Sequence, residues 1–164
     1  MVDFNWWHMR IGVFRHLIGI VILLVLFVYF CYSPIIAQYN IMRLQFIGVK
    51  VSRGRKDGPR FFIKMPSHDA RHILQTSLGH IATLSNHGEV ELDLSGSDLQ
   101  NADLAYLLVI DGPLHIDITN TAIDRGCLDL IINMKHLFGI RADPSQISSS
   151  ELQAFWHKRS YLLD

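Results

Sequence analysis

The sequence predicts an α/β protein: one apolar helix, an α/β cap, then a small solenoid of about three stacked strand–helix units. Two observations carry this. Residues 17–37 hold no charge over 21 positions. Beyond them, apolar residues recur in register every 24 residues: Val90, Leu114, Phe138; Leu92, Ile116, Ile140; Leu94, Ile118, Ala142. The register continues through Leu99, Ile123, Ile147, through Leu104, Leu128, Leu152, and through Leu107, Ile131, Phe155.

Two-residue spacing followed by three- to four-residue spacing, inside a period of 20–29, is the pattern of a leucine-rich repeat. Each unit supplies a short strand (90–94 in the first), a turn and a helix or helical turn (103–109). The turns carry Ser95-Gly96-Ser97 and Thr119-Asn120-Thr121, short polar side chains that satisfy backbone groups. One unit cannot bury its apolar side alone, so the units stack. The repeats are expected at 89–112, 113–136 and 137–160 within a domain 89–164, near the minimum number that stacks stably. Ser148 and Glu151 match a capping box before Leu152. Trp156, Tyr161, Leu162 and Leu163 are expected to shield the last open end.

Ahead of the repeats, residues 1–16 form an aromatic and basic lead, 17–37 a transmembrane helix, and 38–47 a juxtamembrane helix with Ile41, Leu44 and Ile47 at helical spacing. A helix of 21 residues is about 30 Å long and matches the hydrocarbon core. Trp6, Trp7, Tyr29, Tyr32 and Tyr39 suit its two interfaces. Ile35 and Ala37 flank only a poor cleavage site and Pro34 blocks a cut after Ser33, so the segment is expected to stay as a permanent single span. Arg43, Lys50, Arg53, Arg55 and Lys56 outnumber Arg10 and Arg15, which leans toward a cytoplasmic C-terminal domain. The amino-terminal cap spans 48–88: a strand at 49–51, a polar loop at 52–60, and a strand at 61–65 closed by Pro66. A helix follows from Ser67 or His68 to Asn86, with Ile73, Leu74, Leu78, Ile81 and Leu84 as its apolar stripe and Gly88 near its stop.

Apolar residues make up 49% of the chain and the formal net charge is zero, which excludes a disordered chain and gives no case for nucleic acid. Cys31 and Cys127 make neither a disulfide framework nor a metal spacing, and both read as small buried apolar residues. No Ser/His/Asp order, phosphate-cradling loop or carboxylate pair stands above background, so neither an enzyme nor a cofactor is expected.

The polar alternates of the strands are the candidate site. Glu91, Asp93, His115, Asp117 and Arg141 should array on the concave face as a mostly acidic strip for a protein partner with a basic surface. The competing reading makes them the solvated alternates that any half-exposed strand must have. Lys50, Arg53, Arg55 and Lys56 suit anionic lipid headgroups, or equally a solvated hairpin loop. His68 and His72, at i and i+4 with His80 or His87 nearby, give a weak metal alternative and the one opening for an enzyme. A third alternative is a structural membrane subunit packing partner helices against Phe14, Ile18, Val25 and Tyr29. The leading expectation is a membrane-anchored protein–protein interaction module, an accessory subunit of a larger membrane assembly.

Val-Glu-Leu-Asp-Leu-Ser-Gly-Ser (90–97), with Leu99 and Leu104, resembles the L-x-L-S-G-T-x-[IV]-T-D-x-G-L repeat of short leucine-rich-repeat proteins of planctomycete type. Ile-Asp-Ile-Thr-Asn-Thr-Ala-Ile-Asp-Arg-Gly-Cys-Leu (116–128) resembles it too. The stretch Leu-Gln-Phe-Ile-Gly (44–48) before Val49-Lys50-Val51 is similar to the break after the juxtamembrane helix in that plan. The resemblance covers roughly residues 10–156 and implies a membrane-anchored repeat scaffold. It carries no functional residues. The chain departs from the pattern at Gln100 and Asn101, in Gly126 one position early, and in the degraded Arg141-Ala142-Asp143-Pro144 of the third unit.

Overall fold

The structure is a computed structural model that describes residues 6–54 and 60–163, with side chains described at 16–28, 31–54 and 60–162. The chain divides into two compact units, Met1–Ile36 and Ala37–Asp164. Arg55 and Lys56, and the side chains of Trp6, Trp7, Phe14 and Tyr29, lie outside the described residues.

One helix, α1 (Trp6–Phe46), runs through both the expected span and the juxtamembrane stretch that follows it. Its 41 residues correspond to about 60 Å. Pro34 lies inside it and removes one backbone hydrogen bond, yet the helix runs on to Phe46. Gly48, at φ +88°, ends the helical path in a conformation that other residues adopt at a cost. In the first unit, the apolar side chains from Leu17 to Val28 are largely exposed. The stretch His16–Phe46 contains an 18-residue window of mean hydropathy 2.6 and is long and apolar enough to cross a membrane.

The second unit begins with the last turns of α1. Ala37, Ile41 and Leu44 fall on one helical face and are buried in its core, Leu44 completely. Five strands follow: β1 (Lys50–Arg53), β2 (Phe61–Lys64), β3 (Val90–Asp93), β4 (Leu114–Asp117) and β5 (Leu137–Arg141). They form one sheet in sequential order, antiparallel between β1 and β2 and parallel from β2 onward. Parallel neighbours need crossovers. These are α2 (Ala70–Ser85), a 3₁₀ helix (Asn101–Val109) and α3 (Cys127–Ile131), with α4 (Ser149–Leu163) after β5.

Register places Ile63, Leu92, Ile116 and Ile140 side by side, the first three fully or almost fully buried. With Val51 paired to Ile63 on β1, the row extends two strands further than the 24-residue spacing suggests. Behind it Leu99, Ile123 and Ile147 are each no more than 1% exposed, as are Leu104, Leu107, Cys127 and Ile131. Burying each such side chain contributes about 1.5–3 kcal/mol, which gives the row its hold on register. Burial also pushes the Cys127 thiol up to about 11. Cys31, by contrast, is only half-buried.

Two expectations about the core are corrected. Phe138 does not join Val90 and Leu114: the β4–β5 ladder shifts between Leu114 and His115, Leu137 takes the inward position, and Phe138 is 61% exposed. Tyr161 and Leu162 shield nothing, being 72% and 57% exposed. The α4 residues that turn inward are Leu152, Phe155, Trp156 and Arg159. The buried guanidinium of Arg159 donates to the carbonyls of Met134 and Lys135 and lies 5.3 Å from the Trp156 ring. Ser148 and Glu151 do form the capping box, with Ser148 N and Oγ donating to Glu151 Oε2 at 2.8 and 2.7 Å.

Candidate functional site: the polar face of the sheet

Strand alternation turns one side chain in two away from the core. Register gathers these into two rows. The first runs Ser52, Phe62, Glu91, His115, Gly139; the second runs Lys50, Lys64, Asp93, Asp117, Arg141. Neighbouring strands lie about 4.8 Å apart, so each row is a contact ladder. All five residues expected of the concave strip stand in these rows.

Their charges are not left open. Lys64 Nζ meets Asp93 Oδ2 at 2.7 Å. Arg141 Nη1 lies 3.0 Å from Asp117 Oδ2 and 3.7 Å from Glu91 Oε1, bridging β3 and β4 from β5. The second row thus reads plus, plus, minus, minus, plus, and the strip is balanced within itself where the sequence suggests a mostly acidic one. His115 takes its carboxylate from Glu89, Nε2 to Oε1 at 2.6 Å, although Glu91 is its register partner.

Asp93 and Asp117 carry a second duty. Asp93 Oδ1 accepts from the Ser95 N–H at 3.0 Å and the Ser95 hydroxyl at 2.5 Å. Asp117 Oδ1 accepts from the Thr119 N–H at 3.0 Å and its hydroxyl at 2.8 Å. Each aspartate closes the turn after its strand with one oxygen and faces the sheet's charge row with the other. Burial raises the Asp93 carboxyl, but the hydrogen bonds from Lys64 and Ser95 outweigh it and leave that carboxyl below its ordinary value.

Gly139 shapes the surface between these groups. A Cβ there would lie 2.5 Å from His115 Nδ1, so the imidazole occupies space that any other β5 residue would fill. The Phe138 ring stacks at 6.3 Å from it, at an interplanar angle of 23°. The result is a shallow cavity of about 170 Å³ over Glu91, His115, Asp117, Gly139 and Arg141. A wider depression of about 390 Å³ adjoins it over Lys50, Phe62 and Lys64. These walls offer paired charges and the exposed Phe62 ring, and the exposed Phe138 ring stands beside His115.

The remaining candidates are scattered. Lys50 and Arg53 project to opposite sides of β1: Lys50 stands beside Lys64 on the polar face, while Arg53 Nη2 donates to Gln38 Oε1 at 3.0 Å. The basic run is therefore not one patch. His68 and His72 do not share a helical face, because Asp69, at φ +58°, is the left-handed cap before α2 and leaves His68 outside the helix. Among the described residues, no group of three His, Cys, Asp or Glu is placed to hold a metal ion. Lys64, Phe62 and Glu89 join the site without having been singled out in the sequence, and Phe138 joins it from an expected core position. Alternation within Phe61-Phe62-Ile63-Lys64-Met65 is the signal that points to the first two.

Comparison with protein-family models, with curated proteins and with solved structures gave no match to this chain.

Proposed function

We propose that the chain is a membrane-anchored leucine-rich-repeat module that holds a protein partner on the polar face of its sheet, as an accessory subunit of a larger membrane assembly. The observation that carries the reading is the two-row ladder: charged groups of both signs from all five strands, with Phe62 and Phe138 exposed beside them. Charged pairs around exposed aromatic rings are the composition of recognition surfaces. Because Lys64 and Arg141 already answer the acids, the fitting partner surface is mixed in charge, with a basic group to compete for Glu91.

The repeat reading is supported by duplication of detail. The turns closed by Asp93 and Asp117 use the same atoms 24 residues apart, and Leu99, Ile123 and Ile147 are buried at the same interval. The anchor reading is supported by the length and hydropathy of His16–Phe46. A cytoplasmic location of the domain is supported by the basic excess after the span. Protease added to intact cells should then leave residues 60–164 uncut.

The binding test is co-purification of the detergent-solubilised full chain. Glu91→Lys with Phe138→Ser alters the ladder, and Asp129→Lys with Leu130→Ser alters exposed positions on α3 as a control. A partner kept by the control and lost by the ladder variant supports the reading. If the ladder variant retains every partner of the wild type, the polar face is idle.

A further inference from the structure

We infer that a second copy of this chain adds to the sheet at the outer edge of β5, antiparallel, to form a two-fold dimer. The contact involves the second compact unit alone and stands apart from the reading of the polar face.

The two edges of the sheet differ. At β1 the last turns of α1 cover the edge. Gln45 Nε2 donates to the Val51 carbonyl at 3.4 Å, the Val49 N–H donates to the Leu44 carbonyl at 3.0 Å, and Arg53 donates to Gln38. Among the described residues β5 is the last strand, and its outer edge has no neighbouring strand. The N–H groups of Leu114 and Ile118 on β4 donate to the His136 and Arg141 carbonyls. Backbone alternation therefore turns the N–H and carbonyl of Ile140 outward, away from β4. Protected edges carry lysine, proline or an inward charge. β5 reads Leu-Phe-Gly-Ile-Arg, and its one charge, Arg141, is already drawn across the sheet to Asp117 and Glu91. The buried row also stops short here. Ile63, Leu92 and Ile116 are at most 2% exposed, whereas Ile140 is only half-buried.

This edge is complementary to itself. An antiparallel pair centred on Ile140 exchanges both outward main-chain hydrogen bonds between the two isoleucines, with Cα atoms about 5.5 Å apart. The two Ile140 side chains then carry the apolar row across the seam, each supplying the neighbour that the other lacks. On the polar face the same register sets Gly139 opposite Arg141 of the second copy, and the reverse. With no Cβ at Gly139, the stem of that arginine passes without collision, and each guanidinium keeps its own Asp117. The seam is short and bounded. The ladder shift at Leu114/His115 ends the regular strand on one side, and the Asp143 N–H, held by Gln146 Oε1 at 2.9 Å, ends it on the other. The covered β1 edge leaves no second docking point, so assembly stops at two copies.

The test uses the full chain in detergent, with Cys31→Ser throughout, since Cys127 is buried. Under oxidation by copper phenanthroline, Ile140→Cys should form a covalent dimer, because a Cα separation of about 5.5 Å lies in the disulfide range. Ser52→Cys, at an exposed position on β1, should not. Ile140→Pro removes the outward N–H from both copies and spares the hydrogen bonds to β4. By light scattering the parent chain should be a dimer, and Ile140→Pro should raise its dissociation constant about tenfold or more through the loss of two main-chain hydrogen bonds. A covalent dimer at position 140 and not at 52, together with that weakening, supports the inference. A monomeric parent chain, no covalent dimer at 140, equal crosslinking at 52, or a dimer that Ile140→Pro leaves unchanged overturns it. If Ile140→Pro fails to fold, the two crosslinks decide. None of these readouts involves capture of another protein, so the polar-face reading stands or falls separately.

Discussion

His80 on α2 meets Asn40 on α1 through a single short contact, Nδ1 to Oδ1 at 2.6 Å. The Tyr39 ring stands edge-on to the same imidazole, with centroids 6.4 Å apart. Asn40 is 5% exposed and lies between the buried Ala37, Ile41 and Leu44 of α1. Apolar packing alone tolerates sliding of one helix on another. A polar pair inside the seam fixes the register of α1 against α2.

This seam makes stability pH-dependent. Burial, helped by the charge of Arg43, lowers the pKa of His80. A histidine depressed in the folded state favours folding when neutral, and the unfolded chain binds the proton more readily. Its contribution is present above the unfolded value of about 6.5 and is lost as pH falls through the lower folded value. Thermal melting of the solubilised protein should therefore drop between about pH 7 and pH 5. His80→Gln should flatten the drop. A melting temperature that rises over this range, or a slope that His80→Gln leaves unchanged, contradicts the assignment.

Ile116 tests the core row. It is 2% exposed and stands between Leu92 and Ile140. Ile116→Ala should cost about 2–5 kcal/mol in chemical denaturation, from lost transfer energy and a cavity that strands on both sides keep from collapsing. A loss under about 1 kcal/mol would place the residue outside the core.

Asp117 separates turn from charge. Asp117→Asn keeps an oxygen for the Thr119 N–H and hydroxyl but gives up the charge facing Arg141. Asp117→Ala removes both and leaves turn donors without their acceptor. The alanine variant should lose about 1–3 kcal/mol and the asparagine variant distinctly less. Equal losses would make the Arg141 pair, and not the turn, the dominant interaction. The same duty explains why Asp93→Lys and Asp117→Lys are poor probes of binding, since both reversals attack turns as well as surface charge.

Much of this fold is written in periodicity, and the exceptions have physical causes. Leu92, Ile116 and Ile140 align as the 24-residue spacing predicts. Phe138 fails because a one-residue shift in a ladder exchanges the two faces, and Leu137 and Phe138 are both apolar enough to face inward. His68 and His72 fail because the left-handed Asp69 starts the helix after His68. Arg159 reads in the sequence as a solvated helix residue, and its buried place depends on the Met134 and Lys135 carbonyls 25 and 24 positions away. The polar face was half legible. Alternation identified Glu91, Asp93, His115, Asp117 and Arg141, while the pairing of Lys64 with Asp93 and of His115 with Glu89 arises only when β2, β3 and β4 stand side by side.

Two glycines should respond differently to the same added methyl group. At Gly112, a Cβ would lie 2.3 Å from the Ser85 carbonyl oxygen, a backbone atom at the end of α2. To accommodate it, the loop before β4 must move away from α2, so Gly112→Ala should cost at the upper end of the 1–3 kcal/mol typical of overpacking, or more. At Gly139, the nearest atom is Nδ1 of His115, a side chain that is 35% exposed and free to rotate outward. Gly139→Ala should therefore cost about 1 kcal/mol or less while breaking the contact of His115 with Glu89. Denaturation curves of the two variants, with the His115 ring resonances followed by NMR, check both halves. Equal destabilisation, or an unmoved His115 in Gly139→Ala, would show that β5 and not the imidazole yields. Because the altered ring lies in the proposed partner surface, Gly139→Ala should also weaken partner capture in a chain that remains folded, whereas Gly112→Ala should act on stability alone.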